Sequence, residues 1–398
     1  MNTGKRVARQ EQAAVVDKRM PGSAGAQQGA RWLATLCAAV LSLALTSGAA
    51  LAQPGPPPDP TAVALGPEET RDVVLALAQV LRERFAFRAR GREAAAQIEA
   101  LEQQGAFREA RTADELLSLI EQKITPIVDD GHFRARYFGP EAVAGFSEAP
   151  PSAEDIAAFH EEVRLRGGEV PEVRWLTGNV GYLRIRMFLD AAPSAEQLAL
   201  ALGMLAHTGA LIVDVRGSPG GEPAGVANVI GHFVSAGTPT VRVQGSDETA
   251  PDRTYYAEPR LPAYTDRPVF VLVDGDTGSG AEEFAYDLQA MQRATLVGET
   301  TAGAATPGGY RPLAHGFVAF IPMQIVANTI TGTNWEGVGV VPDVTVPAAD
   351  ALTHAHRLAL QAILRDAHGV RRAIAEEGLA SLESTRARSD EGRAAEPQ

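Results

Sequence analysis

The chain has 398 residues, 45% apolar and 21% charged, a balance that allows a sizeable core and fits an ordinary soluble globular protein. Its formal net charge of −13 argues against nucleic acid and anionic lipid as partners. There is one cysteine, Cys37, so a disulfide framework is excluded.

Cys37 lies in the apolar run Trp32 to Ala52, which ends in the small-x-small pattern Ala50-Leu51-Ala52. Residues 1–52 therefore read as a secretory signal peptide. The segment ahead of the run is long and polar, which makes Met20 an alternative start. The run is also near the length of a membrane span, so an uncleaved anchor is the competing reading. Cleavage near Gln53 predicts an exported protein, periplasmic or extracellular, with no stable membrane span and no thiol chemistry. Without cleavage the chain is membrane-anchored.

Residues 53–66 are Pro-rich and read as a linker. From 67 to 138 the pattern is helical. Val73, Leu77, Val80 or Leu81, and Phe85 recur at helical spacing. A second helix is predicted in "REAAAQIEALEQQ". A third begins with a capping box, Thr112 with Glu115, and carries Leu116, Leu119, Ile120 and Ile124 on one face. Three short helices of about 60 residues are near the lower size of a self-folding domain, so this unit should lean on the rest of the chain. Residues 139–172 read as a connector.

From Val173 the pattern becomes alternating strand and helix. "VGYLRIRMF", "ALIVDVRG", "PVFVLVDG" and "TLVGETTAG" read as strands with intervening helices. This predicts an α/β core over 173–368 with a mostly parallel sheet. The tail, 369–398, is charged and Ala-rich and is expected to be largely disordered.

In open α/β sheets, sites form where strands end and loops meet helix N-termini. Three loops qualify. "DVRGSPGGEPAG", with Gly220 and Gly221, offers backbone amides to an anion or developing oxyanion, although Gly-rich turns are also common as plain connections. "GDTGSGAEEF" holds Ser279 three residues before Glu282, which by itself reads as a helix cap. "TNWEGVGVVPDV" holds Glu336, which by itself reads as a turn residue.

Taken in order, "GYLRI…LIVDVRGSPGG…VFVLVDGDTGSGAEEFAYDLQ…LVGETTAG…WEGVGVVPDV" resembles the tail-specific (C-terminal processing) serine peptidase family, in the branch of interphotoreceptor retinoid-binding protein modules and tricorn-type cores. The resemblance covers about 67–366. It implies a crotonase-like ββα core preceded by a small three-helix N-terminal domain. It implies Ser279 as nucleophile and the Gly280 and Gly221 amides as oxyanion hole, with Gly220 beside them. The family's lysine base falls on Ala304, and no lysine follows Lys123. The histidine of tricorn-like members falls on His132 in "DDGHF", and their supporting glutamate on Glu336. Those members carry a serine before the histidine. Here it is Gly131, so the relay from Glu336 to His132 is interrupted or takes another path.

The resulting expectation is an exported serine-type peptidase acting on peptide or protein substrates through a Ser–His pair. His132 should then lie within hydrogen-bond reach, or one water, of Ser279. The alternative is a weak or inactive member that binds an apolar ligand or peptide. A crotonase acting on acyl-CoA shares only the fold, and the export signal disfavours it. No H-E-x-x-H, cysteine cluster or phosphate loop is present, so no metal or cofactor is implied. The connector is too short for a PDZ domain, which needs about 80–100 residues. Oligomeric state is not set by these features.

Overall fold

The computed structural model describes residues 59–146, 150–245 and 252–394. The signal-peptide segment and the start of the linker lie outside the described residues.

The N-terminal helices form where apolar spacing places them: α1 (Pro67–Arg84), α2 (Arg88–Gln103) and α3 (Ala113–Lys123). Helix α1 buries Val73, Leu77 and Leu81, while α3 buries Leu116 and Ile120. Val80 and Leu119 stay at the margin of the cluster. The box at α3 is only half made. Thr112 Oγ1 accepts from Glu115 N at 3.3 Å, but the Glu115 carboxylate turns to Arg111 N at 2.6 Å.

These helices do not close on one another alone. After a helical turn, α4 (Thr125–Val128), strand β1 (Arg134–Tyr137) pairs antiparallel with β10 (Phe317–Pro322), which pairs with β9 (Gly308–Pro312). Phe133, Tyr137, Phe317, Ala319 and Ile321 from this small sheet join Leu77, Leu81, Phe85 and Ile98 in one apolar cluster. The N-terminal unit thus borrows its core from strands nearly two hundred residues away. The connector that follows holds α5 (Pro140–Ala144) and α6 (Ala153–Leu165).

The main sheet runs β12-β8-β7-β4-β3-β2. Its strands are β2 (Glu172–Leu176), β3 (Val180–Arg184), β4 (Ala210–Asp214), β7 (Val269–Val273), β8 (Thr295–Gly298) and β12 (Val344–Thr345). All neighbours are parallel except β2, which pairs antiparallel with β3. Every residue of β4 and β7 is buried, as parallel strands covered on both faces require. One face packs on α7 (Ala192–Met204), α8 (Pro223–Ile230) and α9 (Gly280–Ala290). The other packs on α10 (Ala348–Asp366) through Ala351, Ala355, Ala359 and Leu360. A third sheet, β11 (Gln324–Asn328), β5 (Pro239–Gly245) and β6 (Arg253–Tyr256), flanks this core.

The tail corrects the expectation of disorder: Gly369–Ala394 is a helix, α11. Ala375 is fully buried, and Leu379 and Leu382 pack on the same cluster as α10. Gly378 sits so close to Gly178 that a Cβ would come within 2.5 Å of its Cα. The segment's charge hid a thin apolar stripe on residues that are strong helix formers.

Glu282, in the first turn of α9, is fully buried. Its carboxylate accepts from Ser279 N (2.8 Å), Thr301 Oγ1 (2.5 Å), Gly303 N (2.7 Å) and Ala304 N (2.9 Å). One side chain therefore locks the turn after β7 to the loop after β8. Burial pushes its carboxyl above the ordinary range, against the pull of those donors. Glu282→Gln should leave two of these donors facing an amide NH2 and cost about 2–4 kcal/mol of stability, read from chemical denaturation.

Further along α9, Glu283 and Asp287 are both buried, and Glu283 Oε1 and Asp287 Oδ2 have no hydrogen-bond partner among the described residues. Asp287 Oδ1 accepts from Asn328 Nδ2 at 2.6 Å. Burial pushes both carboxyls up, Asp287 to about 7. A carboxyl raised in the folded state binds its proton more tightly there. Its contribution is present below the ordinary carboxylate range and is lost as pH rises through about 7. Wild type should therefore melt lower at pH 8 than at pH 5. In Asp287→Asn that drop should shrink, by roughly 2–4 °C for each kcal/mol relieved. An unchanged drop in the variant would assign the titration to another group.

Candidate active site

Strands β4 and β7 are neighbours in the sheet, so the turns at their carboxyl ends meet. The turn after β4 is anchored by Asp214, which accepts from Tyr182 Oη at 2.8 Å and pairs with Arg216 at 2.6 Å. It then passes through Gly220 (φ 107) and Gly221 (φ 149). Only glycine fits here. A Cβ at Gly221 would lie 2.1 Å from Phe188 O, and one at Gly220 would lie 2.5 Å from Gly280 N. Gly278 N donates to Ser218 O at 2.9 Å and ties the two turns together. The Gly221 and Gly280 amides lie side by side, and neither donates to an acceptor among the described residues.

Ser279 sits at the N-terminus of α9 with φ 52 and ψ −122. That conformation costs a residue with a side chain of order 1–3 kcal/mol. Glu282 holds it there by accepting from the Ser279 amide. Half of the expected capping box is thus present, but Ser279 makes no side-chain cap hydrogen bond. Its Oγ instead lies 3.0 Å from His132 Nε2.

His132 reaches this point from the N-terminal unit. Arg90 of α2 donates to Val128 O (2.8 Å) and Asp129 O (2.9 Å). Phe133 plugs into the N-terminal cluster, and the His132 ring stacks on Phe320 at 5.7 Å between centroids. Asp130 Oδ1 accepts from His132 N at 2.9 Å, an Asx turn legible in "DDGHF". The ring is buried. Burial, with Arg134 adding to it, lowers its pKa to about 4.

Glu336 comes within reach of this cluster without bonding the ring. Its carboxylate accepts from Gly131 N (3.3 Å) and Ala305 N (2.5 Å), and Thr306 Oγ1 lies 3.4 Å from it. Ala304, where the family's lysine falls, is buried, and Trp335 Nε1 donates to its carbonyl at 3.0 Å. Three side chains around the site were not singled out from the sequence: Glu282 as clamp, Asp130 and Thr306. Asp130 stands two residues before His132, which is the one local signal available. Thr306 carries none, because its partners lie 30 to 176 residues away.

Three other histidines serve elsewhere: His315 pairs with Asp72 at 3.0 Å, while His232 and His356 bond carbonyls. Among the described residues, Asp130, His132 and Glu336 form one group whose potential ligand atoms lie within 4.8 Å of one another. Their carboxylate oxygens already accept from Gly131, His132, Ala305 and Thr306. No helix among the described residues is long and apolar enough to cross a membrane.

Residues 179–346 match Peptidase family S41. A carboxyl-terminal-processing protease from Synechocystis is 39% identical over 129 residues, which cover 31% of this chain and 28% of that protein. A carboxy-terminal-processing protease from Bartonella bacilliformis is 28% identical over 174 residues, covering 42% of this chain and 39% of that one. The matched region thus spans well under half the length of these relatives. Among solved structures, a lipoprotein from Streptococcus agalactiae superimposes with a TM-score of 0.50 at 15% identity, over 76% of this chain and 100% of that one. That likeness speaks for a mixed α/β fold alone. Ser279, both glycine turns and Glu336 lie inside the span that matches Peptidase family S41, and this chain is similar to carboxyl-terminal-processing proteases.

Proposed function

We propose that this chain is an exported serine-type peptidase in which Ser279 is the nucleophile and His132 the general base. The observation that carries the reading is the 3.0 Å contact between Ser279 Oγ and His132 Nε2, made across 147 residues of chain. Ser279 Oγ attacks a peptide carbonyl while its proton passes to His132 Nε2. The oxyanion is received by the Gly221 and Gly280 amides, at the positive end of α9. His132 then protonates the leaving amine. A water, deprotonated in turn by His132, cleaves the acyl-enzyme ester. Glu336 braces the backbone just before the histidine, at Gly131, and the facing loop at Ala305, and its charge favours the imidazolium that forms.

A pKa near 4 keeps the His132 ring neutral across the physiological range, so the base is always available. We assign the segment up to Ala52 as the export signal, which supports a periplasmic or extracellular site of action. We further assign the core as crotonase-like, with 67–138 as the N-terminal unit that supplies the base. Between that unit and the core, the described connector holds two short helices, not a PDZ-sized module, so we assign no preference for C-terminal tails.

Labelling with a fluorophosphonate tests the assignment. Wild type should label, Ser279→Ala should not, and His132→Ala should label about 10²–10⁴-fold more slowly. An unlabelled wild type would favour a binding protein on this fold. Gly220→Ala should push the Gly280 amide off the oxyanion position and slow labelling about 10²–10³-fold, with unfolding transitions measured alongside.

A further inference from the structure

Thr306 lies two residues beyond the vacant lysine position and is fully buried. Its hydroxyl has three neighbours: Asp130 Oδ2 at 2.7 Å, His132 Nδ1 at 3.4 Å and Glu336 Oε2 at 3.4 Å. A hydroxyl has one proton to give. The shortest contact takes it, and that acceptor is a carboxylate. Glu336 Oε2 is already occupied by the Ala305 amide at 2.5 Å. The proton of Thr306 therefore points at Asp130. The oxygen's lone pairs are left for His132 Nδ1–H. The 3.4 Å separation is long for N–H···O, as such bonds are before substrate closes a site. Asp130 cannot serve the ring directly, because Nδ1 and its Oδ1 are 4.0 Å apart.

We propose that Thr306 and Asp130 are positioning residues for His132. Thr306 Oγ1 accepts from Nδ1–H, and Asp130 anchors the Thr306 hydroxyl and supplies the negative end of the chain. The inference rests on the Ser279–His132 reading and deepens it. The hydroxyl missing at Gly131 is replaced by one from the loop between β8 and β9. A residue at 131 would also be tight, since a Cβ there lies 3.3 Å from Ala304 Cβ. The consequence is a fixed tautomer. With the proton on Nδ1, the Nε2 lone pair faces Ser279 Oγ–H. During attack, Nε2 gains the serine proton, Nδ1 keeps its own, and Asp130 stays ionised. Glu336 is left as a backbone brace.

The charged groups around Asp130 are Glu336, which raises its pKa, and Arg90, which lowers it; Arg134 acts on His132. Burial dominates and brings the Asp130 carboxyl up to about 6. Below that pH, a protonated Asp130 no longer anchors Thr306 as an anion, so the labelling rate should fall as pH drops through about 6.

The test is the fluorophosphonate labelling rate, resolved into its saturation constant and limiting rate, as a function of pH. Thr306→Val should lower the limiting rate about 10- to 100-fold with the saturation constant unchanged, the loss expected for one charge-assisted hydrogen bond. Thr306→Ser should recover most of it. Asp130→Asn should move the acid limb away from pH 6, whereas Glu336→Gln should leave it there. In ¹⁵N spectra, His132 should be the Nδ1–H tautomer in wild type and a mixture in Thr306→Val. Should Thr306→Val disturb folding, Thr306→Ser and Asp130→Asn carry the result. The relay is overturned by full-rate labelling of Thr306→Val, by a serine variant as slow as the valine one, or by an unmoved limb in Asp130→Asn. Each of these is distinct from failure of the Ser–His reading, which appears as no wild-type labelling or as no effect of His132→Ala.

Discussion

One buried carboxylate determines whether this site exists. Glu282 accepts hydrogen bonds from the backbone of Ser279 and from the loop at Thr301, Gly303 and Ala304. The first bond holds a serine in a backbone conformation it would otherwise avoid. The others fix the loop whose next two residues, Ala305 and Thr306, meet Glu336 and Asp130. Thr301 extends the clamp by accepting from Val340 N at 2.7 Å, which secures the far side of the Glu336 turn. Ser279, Glu336 and Thr306 all take their positions from contacts tied to this one anion. Satisfying it with four donors is what makes burying it tolerable.

The histidine arrives from a different body of the protein. The serine and the glycine amides stand on the main parallel sheet. His132 stands on a cluster shared by the N-terminal helices and the β1-β10-β9 sheet. The site therefore lies on the seam between two apolar cores. Arg90 and Phe133 set the depth of the seam on one side, and Phe320 covers one face of the imidazole. This placement keeps the ring dry and depresses its pKa. It also couples the Ser279–His132 contact to docking of the helices, since any loosening of that cluster moves the ring away from the hydroxyl.

Ala304 stands at a crossing of the loop's backbone contacts. The small side chain leaves the loop free to turn its backbone amide toward Glu282 and its carbonyl toward Trp335. Two residues further, the Thr306 hydroxyl adjoins an imidazole and two carboxylates. Arg90 pulls the Asp130 carboxyl down, but burial outweighs it. Burial is therefore expressed as a raised Asp130 carboxyl and a lowered His132, the two directions that keep net charge out of the interior. The same logic governs Glu283 and Asp287 beneath the nucleophile, where orphaned oxygens and raised carboxyls coincide.

Local rules explain why much of the architecture was legible. Period-3.6 apolar spacing located α1 and α3 to within their buried faces, and unbroken apolar runs located β4 and β7. Ordered motifs pointed to Ser279, Gly221, Gly280, His132 and Glu336. Local rules failed where a residue's role depends on what approaches it from far along the chain. The Ser279 hydroxyl reads as a cap until His132 approaches it. The 369–394 segment reads as disordered until α10 offers Ala375 a surface. Glu336 reads as an orienter of the ring until its oxygens are seen on Gly131 and Ala305. Thr306 reads as nothing at all. By itself the sequence determined the elements, the glycines its turns demand and the residue types available for chemistry, because these follow from neighbours a few positions apart. Only the tertiary structure decided which hydroxyl meets which ring nitrogen and which acid stands behind it. Hydrogen-bond geometry at 3 Å is set by packing between segments that the chain leaves more than a hundred residues apart.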